Sequence, residues 1–275
     1  MALPAPIKAL RFEPYPEIDP NQAHFSTKGN HVVITGGGGG LGSATAEAFA
    51  KSGASNISIL GRTQGTLTTT KEKVEAQHPG TKIHTFIANM TDKKSVDEVI
   101  SAAVKASGLI NMLVANAAYL YHVKPFMDID PDEWFRCFEV NVKGNFNLLR
   151  AFIPHAAPGA TVAEVSSVIN FPEIPGYSSY LLSKLAQHKV FNYPDLHVVS
   201  LHLGAMKTAM IDKLPEEPPT ALPANFIVWA TSPEGKFLRG KYVWANWDVT
   251  ELKAMAKEIE STGEFNFRKR NVQIP

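Results

Sequence analysis

Five glycines, Gly36 to Gly40, followed by Leu41 and a sixth glycine at Gly42, come directly after the strand-like segment His31-Val32-Val33-Ile34-Thr35. Behind them, Leu41 to Ser52 carries Ala44, Ala48 and Phe49 at helical spacing, and Gly53 is placed to cap that helix. Strand, glycine turn and helix in that order form a recognisable unit. The glycines allow a tight turn and close approach of backbone to a pyrophosphate, and the helix start offers free N–H groups and the positive end of its dipole. A glycine run by itself is also what a flexible loop uses. Its position between strand and helix favours nucleotide binding. No Gly-Lys-Ser/Thr follows, so the loop is not of the P-loop type.

Further alternation follows. Strands are predicted at 57–60, 82–87, 110–114, 161–165 and 197–201, with a last one inside Phe237 to Trp244. Helices are predicted over 71–77, 95–106, about 131–152 and 180–190. Such alternation requires right-handed crossovers and a parallel sheet covered on both faces. The expected fold is therefore α/β: one doubly wound Rossmann-type domain of about seven strands. The prolines at 4, 6, 14, 16 and 20 make residues 1–27 an extended lead-in, leaving 28–275 as the domain. The Pro-rich stretch 215–219 reads as a surface loop.

A length of 275 residues, 44% hydrophobic, suits one large domain. A net charge of +1 calls for neither nucleic acid nor an anionic membrane as partner. The lone Cys137 permits no internal disulfide. No apolar run has the length of a signal peptide or membrane span, so a cytoplasmic protein is expected. Nine histidines include no His-x-His or His-Glu-x-x-His arrangement, and no catalytic metal is expected.

At the end of the second strand, where an acidic residue would hold the ribose 2′-hydroxyl of NAD, the chain has Gly61 and Arg62. An arginine there can pair with a 2′-phosphate, which favours NADP over NAD.

Four features in the right order resemble the short-chain dehydrogenase/reductase family: the Thr35-Gly36-x-x-x-Gly40-x-Gly42 loop, Asn141 in Asn-Val-Lys-Gly, Ser167, and Tyr180-x-x-x-Lys184, with Ser167 13 positions before Tyr180. The segment 237–248 and the lead-in Pro14-Tyr15-Pro16 resemble a fungal branch of that family. The resemblance implies an oxidoreductase that interconverts a ketone and a secondary alcohol, a small-molecule substrate, and a catalytic set of Asn141, Ser167, Tyr180 and Lys184. Tyr180 and Lys184, four apart on one helix, share a face. A free tyrosine titrates near pKa ≈ 10, and a neighbouring ammonium lowers that value. Tyr180 is thus the expected general acid and base, Lys184 its tuner, and Ser167 the donor to the substrate oxygen. By resemblance Lys184 also bonds the nicotinamide ribose, and Asn141 holds a water. By position, Thr35, Gly36, Gly40, Leu41 and Gly42 would surround the pyrophosphate. Asn89 and Met90 would reach the adenine, and Asn116 and Ala117 the cofactor beyond strand four. Gly204, Met206 and Thr208 would cover the nicotinamide.

The chain also departs from the family. The family's Asn-Asn-Ala-Gly is Ala115-Asn116-Ala117-Ala118, and its Pro-Gly after strand six is Leu203-Gly204. The span from Lys184 to Leu203 lacks about 7 residues, two helical turns. In the family this helix builds a homo-oligomer interface, which is expected to be shortened here. The loop 209–225 is the expected substrate lid. The alternative reading is a non-redox member of the same fold: a cyclase, a dehydratase or a cofactor-binding regulator.

Overall fold

The computed structural model describes residues 7–121, 124–167, 175–193, 195–204 and 220–261. Its first half runs β1 (His31–Thr35), α1 (Gly40–Lys51), β2 (Asn56–Gly61), α2 (Gln64–Gln77), β3 (Lys82–Ile87), α3 (Lys93–Ser107) and β4 (Ile110–Ala115). Then come α4 (Pro131–Phe138), α5 (Gly144–Phe152), β5 (Ala156–Val165), α6 (Ser178–Val190), β6 (His197–His202), α7 (Ala221–Thr231), β7 (Tyr242–Trp244), α8 (Val249–Ala254) and α9 (Ala256–Ser261). All seven strands are parallel, in the order β3-β2-β1-β4-β5-β6-β7. The order reverses between β1 and β4, and ligands of open α/β sheets bind at the carboxyl ends beside such a switch.

Helices cover both faces, so a central strand such as β1 is buried along its whole length. One core layer gathers Ile34, Phe49, Phe226 and Trp229, and the other Val33, Leu113, Phe152 and Phe191. Local chemistry sets the ends of the helices. Asp130 caps α4 by accepting from the N–H groups of Asp132 and Glu133, with Pro131 at the first helical position.

The helix expected over 131–152 is interrupted by a π turn at Glu139–Lys143, which places Asn141. Helix α2 starts at Gln64, seven residues before the expected point, because Gly65 and four threonines mask its propensity. Strand β5 starts at Ala156, ahead of Pro158-Gly159. Helix α7 takes up the end of the expected lid, and its residues 222–224 and 226–231 are buried. The lead-in packs against the domain. Ile7, Tyr15, Ile18 and Phe25 belong to the first core layer.

Candidate active site

Strand β1 runs into the glycine turn, where the N–H groups of Gly36 and Gly37 both donate to the Leu60 carbonyl, at 2.8 and 3.1 Å. Gly36 and Gly42 are required on steric grounds, each against backbone or an anchored amide. Gly36 has φ +70°, and a Cβ there would lie 2.8 Å from Asn116 Nδ2. A Cβ at Gly42 would lie 2.2 Å from the Gly36 carbonyl oxygen. Helix α1 begins at Gly40, and no side chain caps it at Gly39. Its first N–H groups and positive dipole end therefore face the turn.

Above the turn lies a cleft of about 1110 Å³. It is lined by Gly36, Gly40, Leu41 and Gly42 on one side, and by Arg62, Asn89 and Met90 on the other. Asn116 and Ala117 form its floor near β4. Thr35 does not reach the cleft. Its buried hydroxyl accepts from the N–H groups of Asn116 and Ala117, both at 3.0 Å, and so ties the end of β1 to the loop after β4. Asn89 uses its side-chain oxygen on Thr91. Gly204 sits in the turn after β6 with φ +82°. Met206, Thr208 and the 215–219 stretch lie outside the described residues.

Ser167, two residues past β5, and Tyr180 on α6 come together, with a hydrogen bond between their side chains. Ser166 has its Oγ buried with no partner among the described residues. Lys184 Nζ lies 5.9 Å from the Tyr180 ring centroid. It donates to the Val165 carbonyl at 2.9 Å and to Gln187 Oε1 at 3.0 Å.

Burial pushes the Tyr180 hydroxyl up to about 12, against the lowering effect of Ser167. Burial also pushes Lys184 down to about 8. The expected lowering of Tyr180 by Lys184 is therefore not present in this structure. Lys184 loses its proton well before the phenol would titrate, and no ammonium remains to favour the phenolate.

The Asn141 side chain is engaged by protein groups. Its Oδ1 accepts from Tyr119 N at 2.7 Å, and its Nδ2 donates to Tyr119 O and Ser183 Oγ, both at 2.9 Å. It clamps the loop after β4 to the helix that carries Tyr180 and Lys184. The sequence reading missed Glu164 and Gln187. A glutamate inside the apolar run 161–165 was the available signal, because a carboxylate in a strand covered on both faces needs partners.

The profile of a family described as short chain dehydrogenase matches residues 30–218. A short chain dehydrogenase/reductase of Claviceps purpurea (strain 20.1) is 32% identical over 278 residues, covering 96% of this chain and 94% of that protein. The short chain dehydrogenase/reductase AacuD of Aspergillus aculeatus is 32% identical over 255 residues, covering 88% of each. Among solved structures, a short-chain dehydrogenase/reductase from Serratia marcescens superposes with a TM-score of 0.72 at 18% identity, covering 79% of this chain and 96% of that one. An alcohol dehydrogenase from Thermococcus sibiricus, complexed with 5-hydroxy-NADP, gives 0.70 at 23% identity, covering 78% and 95%. These two structures speak for the fold alone.

Proposed function

Because this chain belongs to the short-chain dehydrogenase/reductase family, we propose that it is an NADP(H)-dependent oxidoreductase interconverting a ketone and a secondary alcohol. The observation that carries this reading is the Ser167–Tyr180 hydroxyl pair at the carboxyl end of β5, with Lys184 behind it. The residues of the cleft fit the cofactor. The turn has backbone where a Cβ at Gly36 or Gly42 would collide, and α1 presents an uncapped start to a pyrophosphate. Gly40 and Leu41 complete that cradle, Asn89 and Met90 border the adenine, Asn116 and Ala117 border the inner end, and Arg62 meets the 2′-phosphate. By family resemblance Gly204, Met206 and Thr208 close over the nicotinamide, and Lys184 bonds its ribose. When bound, the cofactor supplies or accepts the hydride.

The chain's own residues handle the oxygen and the proton. Ser167 donates a hydrogen bond to the substrate oxygen, and Tyr180 donates its phenolic proton to that oxygen as negative charge develops there. A hydroxyl titrating near about 12 is protonated throughout the neutral range, which suits donation in the reductive direction. In oxidation the proton passes back to Tyr180.

The test is NADPH and NADH consumption against a panel of ketones, with Tyr180→Phe as control. General acid catalysis contributes about 10²–10⁴-fold, and the variant should lose that much of kcat. Wild type and Tyr180→Phe equally inert, with NADPH still bound, would overturn the redox reading. That result would favour a cyclase, a dehydratase or a cofactor-binding regulator. The engagement of Lys184 with Val165 and Gln187, away from the cleft, is the observation on that side.

A further inference from the structure

Beneath the Tyr180–Lys184 pair lies a buried polar chain that the reaction as described does not use. Glu164 is fully buried in β5, paired through its backbone with Ala115 of β4 and Ser200 of β6. Its Oε1 accepts from Gln187 Nε2 at 2.9 Å. Its Oε2 lies 3.4 Å from His188 Nδ1, which is 3.1 Å from Ser200 Oγ. The Gln187 amide reaches the other way as well, taking Lys184 Nζ on its Oε1 at 3.0 Å.

Chemistry alone fixes the orientation of that amide. An ammonium has only protons to give and an ionised carboxylate only lone pairs. With the amide reversed, its NH₂ would face the ammonium and its oxygen the carboxylate, and both contacts would be repulsive. Gln187 is thus a dipole aligned between a cation and an anion. An isolated buried carboxylate is costly unless its charge is compensated and hydrogen-bonded. Lys184 and Glu164 compensate each other through one intervening side chain.

We propose that Glu164, acting through the Gln187 amide, is a positioning residue that anchors the Lys184 side chain under Tyr180 and balances its charge. The inference rests on the reading of Tyr180 and Lys184 as the reacting pair. Of the titratable groups that face Lys184, Cys137 comes from α4, Tyr180 from its own helix and Glu164 from β5. Those facing Glu164 are Lys184, His188 of α6 and Tyr242 of β7. Burial raises Cys137, Tyr180 and Tyr242 above their ordinary values, so none of the three is an anion near neutrality. Glu164 is the carboxylate of this set, and its charge opposes the burial that pushes Lys184 down to about 8. Removing that charge deepens the depression, and Lys184 then loses its proton at lower pH.

The decisive measurement follows the Lys184 side-chain carbon signal in protein labelled with ¹³C-lysine, assigned by its loss in Lys184→Arg and titrated by NMR without cofactor. In Glu164→Gln, proton affinity should fall about tenfold, roughly one pH unit. Glu164→Asp keeps the charge and should restore most of the wild-type midpoint. Gln187→Leu leaves the carboxylate in place, breaks the bridge, and should shift the midpoint in the same direction. If Glu164→Gln fails to fold, Gln187→Leu decides alone. A folded Glu164→Gln or Gln187→Leu protein that titrates at the wild-type midpoint overturns the proposal. The same shift should appear in the alkaline limb of kcat/KM for reduction. An NMR shift in a protein that reduces nothing keeps the positioning role and removes the redox reading, so the two failures are distinguishable.

Discussion

Arg62 stands exposed on the rim of the cleft, one residue beyond the end of β2. A guanidinium there has a planar fork that suits a phosphate and no use for a bare ribose hydroxyl. Hydrogen bonds to charged groups contribute about 1.5–3 kcal/mol, or roughly ten- to a hundredfold in affinity. Arg62→Ala should weaken NADPH binding by that factor and leave NADH nearly unchanged, as read by calorimetric titration of both. Equal loss for both cofactors would remove the 2′-phosphate role. The steric demand at Gly36 and Gly42 and the rim position of Arg62 could be read in the sequence because they follow from local backbone conformation and position after a strand. The contacts of Thr35 and Asn141 could not. Their side chains are taken up by Asn116 and Tyr119, 81 and 22 positions away, and such partners exist only once the sheet has formed. Gln187, 23 positions from its partner Glu164, was hidden for the same reason.

At the scale of elements, amphipathic pieces and strands next to glycine or proline were foreseeable, whereas α7 was not. A helix buried all round shows no apolar stripe, so the periodicity that reveals surface helices is missing. The π turn spans only Glu139–Lys143 within a longer helical run, too short to give a periodicity of its own. Strand β6 carries a testable consequence of burial at its two ends. Burial pushes His202 down to about 4, and burial with nearby Arg239 and Lys236 does the same to His197. A base whose folded pKa lies below its unfolded value, near 6.5, stabilises fully above that unfolded value. As pH falls below about 6.5 the unfolded chain binds protons that the folded chain refuses, so stability drops until about pH 4. Urea unfolding between those limits should show this slope. His202→Gln should flatten it, though His31, also depressed by burial, retains part. An unchanged slope in the variant would mean that other groups govern acid stability.

For the molecule as a whole, the lead-in ties the sheet's far edge to the core. Arg11 N donates to the Asn246 carbonyl at 2.7 Å, Asp248 N to the Ala9 carbonyl at 3.1 Å, and Lys8 N to Glu251 Oε2 at 2.7 Å. The Tyr15 hydroxyl accepts from Val249 N at 3.0 Å, and Arg11 forms a 2.7 Å ion pair with Asp248. The segment so held follows β7 and includes Trp247, stacked on Trp244, whose ring meets His202 at the carboxyl end of β6. The strap therefore braces the same end of the sheet that carries the candidate site. The described part of the lead-in forms two short 3₁₀ turns, Pro16–Ile18 and Ala23–Phe25, and a chain with so little regular structure still buries side chains where the surface offers a groove. Each fully buried aliphatic side chain contributes about 1.5–3 kcal/mol. Deleting residues through Pro20 removes Ile7 and Ile18 along with Tyr15, and should lower unfolding free energy by several kcal/mol on that scale. Tyr15→Phe, which leaves the Val249 N–H buried and unpaired, should cost about 1–3 kcal/mol. Denaturant midpoints of the two variants measure both effects, and a midpoint equal to wild type in the truncated chain would mean that the strap rests on the domain without stabilising it.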